Sequence, residues 1–217
     1  MEFATMMALL GEGFLVSLQI FFITLLGALP LGLVVAFGRM SKFKPLSLLV
    51  QFYISVMRGT PLMLQLMVIY YVPYFGFGIP MGDGYRLPAT LIAFIINYSA
   101  YFAEIYRSGI QSIPRGQYEA SSVLGYSKVQ TFFLIIFPQV VKRILPPVTN
   151  EIITLVKDTS LSFVLSVPEM FTTAKAIAAA QKSMVAFAVA GVFYYVFNLV
   201  VAGIMNLVEK KMDYYHE

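Results

Sequence analysis

The chain has 217 residues, of which 59% are apolar and only 12% are charged, whereas an ordinary soluble domain carries about 25% charged residues. This composition excludes a water-soluble monomer and a disordered chain, and the absence of cysteine excludes a disulfide framework and a cysteine-ligated metal site. The net charge of +4 is too small for a basic nucleic-acid-binding face, so the sequence predicts an all-α integral membrane protein.

Five stretches are predicted to cross the bilayer, whose hydrocarbon core is spanned by about 20 helical residues. The first is expected to be a retained helix, because the acidic Glu2 and Glu12 precede it where a signal peptide would be basic. The second is interpreted as one crossing interrupted around Pro61. The fourth is interpreted as a broken helix, because Pro138, Pro146 and Pro147 interrupt its pattern. The expected limits, within a single transmembrane domain covering 1–217, are 13–38, 46–72, 87–106, 144–167 and 183–208.

The basic residues indicate the orientation of these crossings, because cytoplasmic loops of membrane proteins are enriched in lysine and arginine. One set of connections carries most of them, namely Arg39, Lys42, Lys44, Arg107, Arg115, Lys128, Lys142, Arg143, Lys210 and Lys211. The opposite connections carry only Arg86, Lys175 and Lys182. The sequence therefore predicts five helices with the N-terminus outside and the C-terminus in the cytoplasm.

A polar segment between the third and fourth crossings, about 112–138, is predicted to form ordered structure on the cytoplasmic side. Gly125 stands where a left-handed residue would end a first short helix. Ser127 and Gln130 fit a capping box that begins a second helix. The segment is either a connector on the bilayer surface or, as the small residues beside Glu119 favour, a surface that docks into a partner's groove.

Several motifs of the chain resemble those of bacterial ATP-binding-cassette (ABC) importer permeases. The E-A-A-x3-G-x9-I-x-L-P loop of those permeases is matched by Glu119-Ala120-Ser121, Gly125 and Ile135-Ile136-Phe137-Pro138, with serine for the second alanine and phenylalanine for the leucine. Four further motifs resemble the polar-amino-acid branch of the family, the histidine/glutamine/arginine type: Arg58-Gly59-Thr60-Pro61-Leu62, Ala100–Arg107, Gly116–Ala120 and Lys157–Leu161. The likeness covers nearly the whole chain.

This resemblance implies a type I ABC importer permease fold, also called MetI-like, in the bacterial cytoplasmic (inner) membrane. It implies that the polar loop is the coupling helix that sits in a cleft of an ATPase subunit. The expected ATPase-coupling residues are Gly116, Glu119, Ala120, Ser121, Gly125 and Pro138.

The energy source is expected to lie in another subunit, because the sequence has no G-x-x-x-x-G-K-[ST] phosphate loop. The chain is therefore predicted to be a transporter subunit and not an enzyme, with ATP and Mg bound by the ATPase partner and no cofactor of its own. No metal site is expected, because a lone histidine, His216, cannot form one. Five helices are few for a path with two gates, which predicts a second copy or a homologous permease as partner. The resemblance adds an extracytoplasmic solute-binding protein.

The fourth predicted crossing carries charged residues, which are costly in a bilayer and are normally turned toward a partner or a wet cavity. Glu151 and Asp158 lie about two helical turns apart, so an intact helix would place both carboxylates on one face. They are candidates to bind the cationic end of a substrate, whose carboxylate would be taken by Lys157, a hydroxyl or a backbone N–H. Alternatively, Lys157 or Arg58 neutralises the two acids in a structural ion pair.

Other polar residues within the crossings complete the list of candidate substrate-binding residues. Asn97 and Tyr98 interrupt the third crossing and either bond a neighbouring helix or line the path, and the resemblance places them near the substrate. Gln65 is a candidate of the same kind in the second crossing. Ser160 follows Asp158 where the helix is able to unwind.

The leading interpretation is the membrane-spanning subunit of an ATP-driven importer of polar amino acids. Arginine, lysine or histidine are the expected substrates, because an acid at position 151 resembles permeases for basic amino acids. The alternatives are a permease for glutamine or another polar amino acid, an ion-coupled secondary carrier, and a channel or scaffold subunit. An ion-coupled carrier would be expected to have more helices and internal repeats, neither of which the sequence contains.

Overall fold

The computed structural model describes residues 2–212, and every regular element in that range is helical. His216 lies outside the described residues. The α-helices are α1 (Phe3–Arg39), α2 (Lys44–Gly59), α3 (Leu62–Phe77), α4 (Arg86–Gln111), α5 (Arg115–Val123), α6 (Lys128–Gln130), α7 (Phe137–Asp158), α8 (Met170–Gln181) and α9 (Val185–Met212). A π-helical segment at Thr131–Ile136 joins α6 to α7, and 3₁₀ segments lie at Asp83–Tyr85 and Thr159–Leu165.

Four helical stretches within residues 2–212 are long and apolar enough to cross a membrane, namely Phe3–Arg39, Asp83–Gln111, Lys128–Leu165 and Val185–Met212. The pair α2 and α3 passes the same test only together, and it bends by 112° at its break. Counted as one interrupted span, this pair gives the five crossings that the sequence predicts. The orientation of the helices in the bilayer stays a prediction.

α1 packs along α4 through small residues on both helices. At Gly32, a Cβ atom would stand only 2.8 Å from Cβ of Phe102 and 3.1 Å from the carbonyl oxygen of Ser99. Further alanines of the two helices are buried, namely Ala28, Ala36, Ala93, Ala100 and Ala103. Small residues let membrane helices approach closely, where dispersion contacts replace the hydrophobic effect as the driving force. This contact fixes α4, the helix that carries Tyr98 and Glu104.

A polar network holds the break between α2 and α3. Thr60 is extended and Pro61 cannot continue a helix, so carbonyl groups at the end of α2 lose their helical donors. The side-chain amide of Gln65 donates to the carbonyls of Met57 and Thr60 at 2.9 Å and 3.1 Å. Asn97 of α4 donates to the same Met57 carbonyl at 3.1 Å and to the Gln65 side-chain oxygen at 2.9 Å. The network therefore ties the bend to α4.

The fourth membrane helix is longer and less broken than the sequence suggests. It starts at Lys128 rather than near position 144, and α7 continues through Pro146 without ending. Pro138 lacks an N–H, and the wider π-helical turn directly before it accommodates the lost bond. The α-helix ends at Asp158, where the chain tightens into a 3₁₀ segment instead of unwinding and then reaches Ser166 at a left-handed φ of 55°.

α8 is an element that the sequence analysis leaves unassigned. Glu169 caps its start by accepting the backbone N–H groups of Phe171 and Thr172 at 2.8 Å and 2.6 Å. The same carboxylate accepts the hydroxyl of Tyr194 in α9 at 3.0 Å, and it faces Ser17 of α1 at 3.5 Å. Glu169 is fully buried, so it joins three helices through one hydrogen-bonded carboxyl group.

The segment between α4 and α7, which is predicted to be cytoplasmic, follows its local sequence signals closely. Gly125 has φ of 81°, and the N–H groups of Gly125 and Tyr126 bond back to the carbonyls of Ser122 and Ser121, which closes α5 with a Schellman motif. Ser127 and Gln130 form the predicted capping box, with both reciprocal bonds present. The short helix α5 and the turn after it are thus confirmed, whereas the second predicted helix is the first turn of the fourth membrane helix.

Candidate functional site

A cavity of about 1470 Å³ opens between the C-terminal half of α4, the first half of α7 and the segment around α5. Its polar lining comes from five parts of the chain: Arg58, Tyr101, Glu104, Arg107, Ser108, Ser112, Gln117, Gln139, Lys142, Arg143 and Glu151. Arg143 donates to the carbonyl of Ser112 at 2.7 Å and so joins α7 to the end of α4. The cavity therefore reaches from the segment around α5 to the acidic residue Glu151.

Glu151 is the acid of α7 that faces this cavity. Its side chain is half-buried, and among the described residues no hydrogen bond or ion pair is found for its carboxylate. Arg58, at the end of α2, lines the same cavity. A half-buried carboxylate at a wet cavity can meet a cationic group of a ligand or a nearby cation of the protein. The substrate-binding role predicted for Glu151 stays a hypothesis.

Asp158 lies about 10 Å further along α7, because the helix is continuous from Glu151 and rises 1.5 Å per residue. The two acids are therefore on nearly the same face, as expected for an intact helix. The hydroxyl of the buried Tyr98 donates to Asp158 at 2.8 Å. Lys157 is exposed and does not line the cavity, and Ser160 donates to the Lys157 carbonyl at 2.7 Å.

Gln65 and Asn97 lie together, but in the network of the α2–α3 break and not in the cavity. All of the described hydrogen bonds of Gln65 and Asn97 go to this network. Of the two roles that the sequence left open, the geometry favours a bond between helices. Their contact with a substrate stays a hypothesis.

The predicted coupling residues lie on and around α5. Gly116, Glu119 and Ala120 are exposed, whereas Ser121 is buried and donates its hydroxyl to the Gln117 carbonyl. Gly125 closes α5, and Pro138 lies at the start of α7 in the wall of the cavity. Exposed apolar residues border these positions, namely Val123, Leu124, Val129, Phe133 and Leu134. An apolar surface rimmed by polar residues is suited to a protein partner.

Tyr101 and Glu104 line the cavity, although the sequence did not indicate them as site residues. Tyr101 lies under the Arg58 guanidinium, whose central carbon is 5.3 Å from the ring centroid. Glu104 is held by Arg107 through two bonds of 2.6 Å and 3.0 Å, and Arg58 approaches Glu104 at 4.0 Å. Arg58 could be found from the sequence as a candidate, because it is a charged residue within an apolar stretch. Within residues 2–212, no cluster of three acidic, histidine or cysteine residues could hold a metal ion.

Residues 28–214 match the family described as binding-protein-dependent transport system inner membrane component. The chain belongs to this family. The L-cystine transport system permease protein TcyB of Bacillus subtilis is 32% identical over 95% of this chain and 88% of its own length. The arginine transport system permease protein ArtQ of Bacillus subtilis is 36% identical over 93% of this chain and 91% of its own length.

Solved structures agree with this assignment. A chain in the crystal structure of an amino acid ABC transporter with histidines superimposes with a TM-score of 0.86 at 31% identity, covering 97% of this chain and 99% of that one. A chain of the inward-facing MetNI methionine ABC transporter shares the fold, with a TM-score of 0.76 at 17% identity over 98% and 99% of the two chains. The expected ABC importer permease family and its MetI-like fold are confirmed. This inner membrane component is a transport subunit rather than an enzyme.

Proposed function

We propose that the chain is the transmembrane subunit of an ATP-driven importer that carries basic amino acids, such as arginine, lysine or histidine, across the cytoplasmic membrane. The observation that carries the proposal is Glu151, whose carboxylate faces the cavity without a hydrogen bond or ion pair among the described residues. Asp158 extends the acidic face of α7. The names of the arginine relative and of the transporter solved with histidines support a basic substrate. The name of the L-cystine relative does not support one.

The proposed assembly contains two permease chains, two ABC ATPase subunits and an extracytoplasmic solute-binding protein. The family description names a binding-protein-dependent system, which supports the solute-binding protein. The exposed face of α5, with Glu119 and the neighbouring apolar side chains, is the surface proposed to dock into the ATPase. ATP and Mg are bound by that partner.

Reconstitution in liposomes tests the energy source. The chain, purified with its ATPase and supplied with its solute-binding protein, should accumulate arginine only when ATP is present on the ATPase side. Glu119→Ala should stop transport while the complex still co-purifies, because α5 couples the two subunits in this proposal. Uptake driven by an ion gradient without ATP would instead support the secondary carrier.

Replacement of the cavity acid tests the substrate class. Glu151→Gln should raise the KM for arginine by about ten- to a hundredfold, because a hydrogen bond to a charged group contributes about 1.5–3 kcal/mol. Transport of a neutral amino acid should change much less. Glu12→Gln, an exposed acid on α1, is the matched control and should leave both unchanged. Equal losses for arginine and glutamine in the Glu151 variant would favour a structural role for the acid.

A further inference from the structure

Arg58 is a cation within an apolar stretch whose function the acidic face of α7 does not explain. It lies in the last turn of α2, directly before the 112° bend, where Thr60 and Pro61 end the helix. Its side chain is 46% exposed and lines the cavity that also contains Glu151. A guanidinium at such a position is costly unless it meets a partner or a wet cavity.

Among the described residues, Arg58 has one long ion pair, with Glu104, and no hydrogen bond. Glu104 is already bound by Arg107 through two bonds, of 2.6 Å and 3.0 Å, whereas its closest approach to Arg58 is 4.0 Å, beyond hydrogen-bond distance. No hydrogen bond from the Arg58 guanidinium is found within residues 2–212. The ring of Tyr101 supports the guanidinium at 5.3 Å. A cation–π contact of this kind does not use the N–H groups of the guanidinium, which can therefore donate to a ligand.

The cavity therefore contains one anion and one cation from different helices, neither of which is held by a hydrogen bond among the described residues. Arg58 lies close enough to Glu151 for its positive charge to act on that carboxylate. Glu151 comes from α7 and Arg58 from α2, and both line the same space. An amino acid with a cationic side chain carries the complementary pair of charges, a side-chain cation and an α-carboxylate. The guanidinium fork matches a carboxylate with two parallel bonds, which a lysine cannot provide.

We propose that Arg58 binds the α-carboxylate of the transported amino acid while Glu151 binds its cationic end. This inference rests on the proposed function, and it assigns the carboxylate to Arg58 rather than to Lys157. Lys157 is exposed and does not line the cavity. Arg58 then selects for the amino-acid backbone, and Glu151 selects for the side chain.

Arginine and agmatine test this assignment, because agmatine is arginine without its carboxylate. Binding is measured by calorimetry on the purified complex of permease and ATPase. The wild-type complex should bind arginine about ten- to a hundredfold more tightly than agmatine. Arg58→Gln should reduce this ratio to about one by weakening arginine alone. Arg58→Lys, which keeps the charge without the fork, should give an intermediate ratio.

Lys175→Gln is the matched control. Lys175 also lies over an aromatic ring, 5.4 Å from the centroid of Phe163, but it is on α8 and does not line the cavity. This variant should keep the wild-type ratio. Gel filtration of each variant complex checks that assembly is intact. If Arg58→Gln does not assemble, the arginine-to-agmatine ratio of Arg58→Lys is the test, and an unchanged wild-type ratio in that variant contradicts the assignment.

Three results would overturn the assignment. An arginine-to-agmatine ratio that persists in Arg58→Gln shows that the carboxylate is bound elsewhere. Equal tightening of both ligands in that variant shows that Arg58 is a counter-ion competing for Glu151. Loss of the ratio in Lys157→Gln but not in Arg58→Gln assigns the carboxylate to Lys157.

Failure of the basic-substrate proposal gives a different result. A wild-type complex that binds glutamine but neither arginine nor agmatine refutes the basic substrate. In that case glutamine and 4-aminobutanamide, its decarboxylated analogue, replace the pair, and the same collapse of the ratio is expected in Arg58→Gln.

Discussion

Gly32 is the residue at which the close contact of α1 with α4 is most directly testable. A Cβ at this position would lie 2.8 Å from Cβ of Phe102, 3.1 Å from the Ser99 carbonyl oxygen and 3.4 Å from the Ala103 nitrogen. Carbon atoms pack best at about 3.5–4.0 Å, so Gly32→Ala requires the two helices to separate locally by roughly 1 Å. The atoms in the way belong to the backbone or to a Cβ, and none of them can rotate aside.

The cost of this separation can be isolated with a second glycine. Overpacking a well-packed contact costs about 1–3 kcal/mol, whereas alanine in a helix gains about 0.5–1 kcal/mol over glycine. Gly203 in α9 has no atom within 4 Å of its Cβ position, so Gly203→Ala retains only the gain. The difference between the two variants is therefore the packing cost, about 1–3 kcal/mol.

Thermal unfolding of the purified protein in detergent, followed by its helical circular dichroism signal, measures this difference. Each kcal/mol lowers the melting temperature of a chain of this size by about 2–4 °C. Gly32→Ala should thus melt about 2–12 °C below Gly203→Ala. If Gly32→Ala melts at or above the temperature of the control, the two backbones are not in contact and the reasoning is refuted.

Two further predictions concern the residues that end and begin helices. Glu169→Gln should lower the free energy of unfolding by about 1–3 kcal/mol, because an amide offers one acceptor oxygen where the buried carboxylate uses two. The same dichroism melt checks it, and a change no larger than that of the exposed Glu12→Gln would contradict it. Gly125→Ala should cost about 1–2 kcal/mol at the end of α5 because φ is 81°, and less ATPase should co-purify with the variant. Gly125→Asn should retain more ATPase than Gly125→Ala, and equal losses would show that backbone strain is not the cause.

The segment between α4 and α7 was predictable because its signals act within a few residues. A glycine at the left-handed position ends α5 whatever the rest of the chain does, and Ser127 caps α6 through Gln130, three residues away. The spacing of Glu151 and Asp158 is equally local, since it needs only a continuous helix between them. These predictions use distances along the chain, which the sequence supplies.

α8 escaped prediction because its stability depends on distant residues. Its N-terminal cap is a glutamate that also binds Tyr194 and faces Ser17, from helices remote in sequence. Its buried residues Met170 and Ala174 pack with Met6 and Leu10 at the start of α1. The same contacts account for the ten residues by which α1 begins before the predicted first span at position 13. Neither the formation of α8 nor the early start of α1 is indicated by a local sequence pattern, because both depend on contacts between distant segments.

The polar residues of the membrane helices divide according to whether their hydrogen-bonding capacity is used. Gln65 and Asn97 are satisfied by carbonyls that the bend at Pro61 sets free, and this depends on how α2, α3 and α4 meet. Glu151 and Arg58 line the cavity instead, and neither side chain makes a hydrogen bond to a described residue. Residue type alone cannot separate the two groups, because both consist of polar side chains within apolar stretches. An ionisable side chain without hydrogen-bond partners destabilises a membrane protein that has no ligand bound. A ligand with both a cationic and an anionic group, bound by Glu151 and Arg58, accounts for the presence of these two side chains.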